Sequence, residues 1–265
     1  MFFRMTEKER PYLFPETAEE AVRLKKENPE YIYIAGGTQI NSMHGNQECE
    51  GFISLSETGL SEIDKTVIGS MATLQEIIET GDIHPGIKES ALHLANRNIR
   101  NIATIGGNIA SGKSSSDMAV SLLALNAELS VKTSAGEKTV SMADFIKKPS
   151  GLITKIVVPD NSIKLFQRRY SRTGNDIATV KIVIGYKEEQ GKISEVRVAV
   201  GSVAAKVILL KKVSKLMEGY FPGKDFSIII ETALEEVKPI DDLRASAEYR
   251  KTLVAAALEE FIKSL

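Results

Sequence analysis

Ile99-Arg100-Asn101-Ile102-Ala103-Thr104-Ile105-Gly106-Gly107-Asn108-Ile109-Ala110 is the stretch on which the reading of this chain turns. An extended run, Ile102 to Ile105, is expected to end on the glycine pair. A shorter stretch of the same build lies upstream, where Tyr31 to Ala35 reads as a strand running into Gly36-Gly37-Thr38. Paired glycines let successive backbone N–H groups converge on one anion, because no side chain blocks the approach and φ can turn positive. Either pair alone reads first as a tight turn. Two pairs in matching contexts point to one diphosphate gripped by both. Asp117, at the start of a helical run, either accepts from a ribose hydroxyl or caps that helix.

Outward from these loops the chain alternates helix and strand. Thr17-Ala18-Glu19-Glu20 has capping-box spacing and opens a helix to about Asn28, before Pro29. Strands are expected at Phe52 to Leu55 and Thr66 to Gly69, and a second box, Thr73 to Glu76, opens another helix. Pro85 to Asn98 reads as helix, Asp117 to Asn126 as helix, and Glu128 to Thr133 and Gly151 to Val158 as strands. Pro159-Asp160-Asn161-Ser162 is the expected linker. Beyond it, strands Ala178 to Lys187 and Ile193 to Val203 form a hairpin through Glu189-Gln190-Gly191-Lys192. Helices at Lys206 to Glu218, Phe226 to Val237 and Ser246 to Leu265 follow. In the last of these Leu253, Ala256, Leu258 and Phe261 read as core, with Tyr249 and Arg250 structural.

Composition narrows the function. The 265 residues, 43% of them hydrophobic, suffice for one large domain or two smaller ones. With 34 Lys and Arg against 35 Asp and Glu, no net field recruits a nucleic acid. The single cysteine, Cys49, excludes an internal disulfide and a cysteine-ligated iron–sulfur cluster, and suits a reducing compartment. Met1 to Pro11 is too polar for a signal peptide, and the apolar stretches break before membrane-spanning length. A soluble, cytoplasmic protein is expected.

Gly107-Asn108-Ile109-Ala110-Ser111-Gly112-Lys113-Ser114 fits the phosphate-loop pattern, with Lys113 on phosphates and Ser114 on magnesium. That would make the chain a nucleotide triphosphatase. The helix of a phosphate loop begins at its Lys-Ser pair, whereas Ser115, Ser116 and Asp117 read as a later cap. The pattern also leaves Gly36-Gly37 unexplained. No Gly-x-Gly-x-x-Gly fingerprint of a Rossmann domain occurs.

Tyr33 to Ile40, Ile99 to Ala110, and Asp117 followed by Leu122-Leu123-Ala124-Leu125 resemble the FAD-binding medium subunit of molybdenum hydroxylases, the xanthine dehydrogenase and carbon monoxide dehydrogenase flavoprotein family. The resemblance continues through Asp176-Ile177-Ala178, Val198 to Val203 and Asp241 to Arg250. It implies an α+β fold with a two-subdomain FAD-binding domain of the PCMH, vanillyl-alcohol-oxidase-like type over residues 1–160, divided near residue 55. An α+β C-terminal domain, with a small antiparallel sheet and helices, follows over 161–265. It also implies that Ile34, Ala35, Gly36, Gly37, Thr38, Gln39, Ile40, Leu94, Thr104, Gly107, Asn108, Asp117 and Ile153 line FAD, with Ala95 beside Leu94. Electrons would arrive from a molybdenum-binding large subunit through 2Fe–2S clusters of a small subunit. They would leave through FAD to NAD or another acceptor. No metal site is expected on this chain, and no catalytic acid or base is required.

Departures from the family pattern bear on the site. Gln39 stands where relatives often carry an acid, Lys113-Ser114-Ser115-Ser116 where they often carry a proline, and the segment from Ile40 to Phe52 is short. This trimming opens a second reading, a noncatalytic assembly scaffold with weakened flavin binding. Lys113 is either a solvated loop lysine or added charge near the diphosphate. Arg168, Arg169 and Arg172 read as a solvated or partner-facing stripe. His44, His84 and His93 lack metal-ligand spacing with one another or with Cys49 and read as surface or packing residues.

Overall fold

The computed structural model describes residues 10–42, 49–220, 222–223 and 225–265. His44 and the middle of the short segment after Ile40 lie outside them. The first layer contains β1 (Tyr12–Leu13), α1 (Ala18–Glu27), β2 (Tyr31–Ile34) and β3 (Gly51–Ser54). Its three strands are parallel, in the order β1-β3-β2. The Thr17 hydroxyl accepts from the Glu20 N–H at 3.1 Å and starts α1, whose Ala18 and Ala21 pack on Ile53 and Leu55. The first glycine turn leaves the end of β2.

A second layer begins with β4 (Val67–Gly69), α2 (Leu74–Glu79), α3 (Pro85–Leu92), α4 (Arg97–Arg100), α5 (Ile105–Ala110) and α6 (Asp117–Ala124). It continues through β5 (Glu128–Thr133), β6 (Gly136–Ser141), α7 (Met142–Lys147) and β7 (Leu152–Val157). The strands are antiparallel, in the order β4-β7-β5-β6. Thr73 and Glu76 form a reciprocal capping box at α2. Every residue of α6 is buried, because it lies under the neighbouring helices and also against the third sheet.

That third sheet holds β8 (Lys164–Tyr170), β9 (Val180–Glu189), β10 (Lys192–Gly201) and β11 (Ile208–Leu209), antiparallel in the order β11-β10-β9-β8. Helices α8 (Lys211–Met217), α9 (Ser227–Glu236) and α10 (Ala247–Ser264) cover one face, with Phe261, Val254 and Leu258 in their core. Arg250, on α10, is buried and donates to the carbonyls of Thr179 at 2.6 Å and Ser202 at 3.0 Å and to Asp242 at 2.6 Å. This α+β architecture is the one expected from the sequence.

Several local expectations are corrected. The helix from Pro85 does not reach Asn98: α3 stops at Leu92, Ala95 takes a positive φ of 45°, and Asn96 caps a separate α4. The Arg100 guanidinium makes the break tolerable by donating to the carbonyls of Leu92, Leu94 and Ala95 at 3.0–3.3 Å. Ile102 to Ile105 is not a strand; only Thr104 bridges, to Thr73, and α5 begins at Ile105. The helix expected from Lys206 starts at Lys211, because Ile208 and Leu209 pair with β10. Ala256 is exposed on α10, and Val254 and Ala257 fill the core instead. Strand β8 and helix α7 had no counterpart in the sequence reading.

Candidate cofactor-binding site

Where β2 ends, a cleft of about 390 Å³ opens between the first layer, the helices of the second and the near end of the third sheet. Its wall includes every residue expected to line the cofactor except Ile34, which is buried. Tyr33, Leu55, Ser70, Met71 and Leu152 join them, and β8 and the loop after it add Arg169, Asn175, Asp176 and Ile177. Burial pushes the Tyr33 hydroxyl up to about 12.

The two glycine segments differ in what they offer. Gly37 has a φ of +66°, and its carbonyl accepts from Asn41 N–H at 2.9 Å, closing a single helical turn. Among the described residues, the backbone N–H groups of Gly36, Gly37, Thr38, Gln39 and Ile40 meet no acceptor. They are donors free for a guest. The second segment was expected to present free amides too, but only the Thr104 N–H is left without an acceptor. Ile105 N–H donates to Ala72 at 3.0 Å, Gly106 to Ser70 at 2.9 Å, Gly107 to the Thr104 hydroxyl at 3.1 Å and Asn108 to the Thr104 carbonyl at 3.0 Å. A helix capped by Thr104 has absorbed them. Its glycines serve packing: a Cβ on Gly106 would lie 2.6 Å from the Ser70 Cβ, and one on Gly36 would lie 1.6 Å from the Ile102 carbonyl oxygen.

Asn108 then organises the next helix. Its side-chain oxygen accepts from the Ser116 hydroxyl at 2.6 Å, and Ser116 caps α6 by accepting from Ala119 N–H at 3.2 Å. Asp117 is therefore the first helical residue and not the cap. Its carboxylate, buried at 6% exposure, accepts from Arg169 Nε at 3.3 and 3.4 Å. Arg169 is equally buried, so the solvated arginine stripe is corrected at this position. It also donates to the Ser171 hydroxyl at 2.9 Å and to the Asp176 carbonyl. Arg168 and Arg172 instead form exposed pairs with Glu260 and Asp176.

Behind Asp117 lies Lys181 of β9, with its side chain 2% exposed. Its ammonium donates to the Ser90 hydroxyl at 2.8 Å and to the Asp117 carbonyl at 3.0 Å, and sits 3.9 Å from the Asp117 carboxylate. Burial pushes it down to about 8; Arg169 adds to that effect and Asp117 opposes it. Lys113 is exposed at the cleft rim. His84 is a packing residue: Nδ1 accepts from Gly86 N–H at 3.1 Å, and Nε2 lies 2.7 Å from the Ile163 carbonyl. His93 is held below its ordinary value, chiefly by burial and then by Lys181. Among the described residues, no three His, Cys, Asp or Glu side chains are placed to share a metal ion.

A family model described as the FAD binding domain in molybdopterin dehydrogenase matches residues 4–161, and one for the CO dehydrogenase flavoprotein C-terminal domain matches residues 166–265. The chain belongs to the FAD-binding subunits of molybdenum hydroxylases. Relatives of this flavoprotein family include a xanthine dehydrogenase FAD-binding subunit of Escherichia coli O157:H7, 26% identical over 269 residues, covering 93% of this chain and 92% of its own. The glyceraldehyde dehydrogenase medium chain of Sulfolobus acidocaldarius is 27% identical over 264 residues, covering 92% and 93%. A crystal structure of quinoline 2-oxidoreductase from Pseudomonas putida 86 contains a chain that superposes with a TM-score of 0.87 at 21% identity, covering 97% of this chain and 96% of that one; it shares the fold. As a flavoprotein subunit the chain is an FAD-dependent oxidoreductase component. The phosphate-loop pattern loses its structural context, since Gly107 to Ala110 already lie inside α5 and α6 begins only at Asp117. Among the described residues, no helix is long and apolar enough to cross a membrane.

Proposed function

We propose that this flavoprotein holds its FAD in the cleft and acts as the last electron station of a cytoplasmic molybdenum hydroxylase. The observation that carries the reading is the turn from Gly36 to Ile40, whose unpaired backbone N–H groups form a receptor for an anionic diphosphate. Ala35 to Ile40 and Thr104, Gly107 and Asn108 would line the diphosphate side, with Asp117 fixing polar groups of the cofactor. Leu94 and Ile153 supply apolar wall, and Ile34 supports the turn from beneath. FAD brings the electron-carrying chemistry, and the chain binds it, orients it and excludes water.

Electrons would reach this site from 2Fe–2S clusters of a small partner subunit, fed by a molybdenum centre on a large one. The single Cys49 fits a chain that carries no cluster of its own. NAD is the proposed acceptor. Purified chain, alone or with its partners, should be yellow and release about one FAD per chain on denaturation. Colourless chain that neither binds added FAD nor acquires it in its complexes sinks the reading. Affinity capture from the source cell should retrieve a molybdenum-bearing and an iron–sulfur chain; recovery of neither removes the partner assignment. Anaerobic NADH should bleach the flavin of the complex, and a flavin untouched by NADH excludes NAD as acceptor.

A further inference from the structure

Lys181 is a cation placed where burial is costly, and a methionine would fill the same space without that cost. It contributes nothing to the cleft wall directly. Its ammonium instead joins three elements, reaching from β9 to Ser90 on α3 and to Asp117 on α6. Ser90 is itself fixed by Gln167 at 2.7 Å and Ser121 at 2.6 Å, so the lysine cannot drift from the Asp117 carbonyl. We infer that Lys181 is a positioning residue for the flavin: it fixes Asp117 at the start of α6 and leaves the cleft wall with a surplus positive charge that tightens the grip on anionic FAD. The inference rests on the FAD reading above.

The charge count supports it. Asp117 and Arg169 form a pair that cancels. Glu89 also faces the lysine but is exposed to solvent; among the buried side chains the charged ammonium leaves two cations against one carboxylate, and the neutral amine leaves none in surplus. The guest on the other side of Asp117 is anionic. Groups facing Lys181 are Asp117 from α6, Arg169 from β8, Glu89 from α3 and His93 at the end of α3. None of these is of a type that changes charge between pH 7 and about 9.5. Burial brings the lysine alone into that window, at about 8.

FAD affinity of the stripped full-length chain, measured by fluorescence titration from about pH 6.5 to 9.5, tests this for the wild type, Lys181→Met and Lys181→Arg. The wild-type Kd should rise about tenfold on passing pH 8. Lys181→Met should bind about tenfold more weakly with no pH dependence. Lys181→Arg should stay tight and equally flat, because its charge does not titrate. A flat wild-type profile overturns the inference, as does a Lys181→Met variant that keeps the wild-type affinity and slope. Should Lys181→Met fail to fold, the wild-type and Lys181→Arg profiles decide alone. A wild type that binds no FAD at any pH fails at the FAD reading itself and takes this inference with it.

Discussion

The two glycine segments look alike as sequence and do opposite work as structure. Gly36 to Ile40 is a turn whose backbone donors point nowhere within the protein, while Thr104 to Asn108 is the opening of a helix in which every donor but the Thr104 N–H is taken. The second segment supports the first. The Ile102 carbonyl fills the space beside Gly36, and Gly107 approaches Ala35. Doubled glycine therefore signals close backbone approach in both places and unpaired glycine amides in only one. The Asn108 side chain extends that support to Asp117 through Ser116, so the second segment shapes the cleft without lending it a glycine amide.

Breaking the support should cost most. Gly36→Ala places a methyl group against the Ile102 carbonyl at 1.6 Å, a clash with backbone that no rotamer relieves. A stability loss of about 3 kcal/mol or more and flavin-free protein are expected, read by urea unfolding and FAD content. A near-native midpoint would show that the loops do not touch. Gly106→Ala drives into Ser70 at 2.6 Å, for about 2 kcal/mol, with flavin lost only as the fold is lost. Gly37→Ala forces alanine to a φ of +66°, for about 1 kcal/mol. Because it re-aims the free amides, its Kd for FAD should worsen more than its stability. Thr104→Ala removes a helix cap worth about 1 kcal/mol and should leave the Kd within about threefold; a larger loss would give the second segment a direct role. Lys113→Ala, at an exposed site, should leave the unfolding midpoint and the FAD Kd nearly unchanged. A marked loss of affinity there would place its charge at the diphosphate.

Elements announced by local chemistry were legible in the sequence. Thr17, Thr73 and Ser116 start helices at the expected points, and Gln190-Gly191 turns the hairpin. Strand β8 was not, because Gln167 and Arg169 turn inward to polar partners and spoil the apolar alternation that marks a strand. The break at Ala95 was hidden because Arg100, several residues later, satisfies the freed carbonyls. In the site, the glycines, Asn108 and Asp117 stood out by pattern. Which amides stay free was not legible, since the acceptors at Ser70 and Ala72 come from another part of the chain. Lys181 reads as an ordinary strand lysine until Ser90 and Asp117, both distant in sequence, are brought to it.

The sequence divides near Pro159, yet the hydrophobic interior does not. Val183, Ala199 and Val207, all beyond that point, belong to one buried cluster with Met118, Leu122 and Ile156 before it. A protease cut between Pro159 and Ser162 should thus yield two fragments that travel together. Intact protein should melt in one transition, with the slow-exchanging amides of α6 and β9 released at the same free energy.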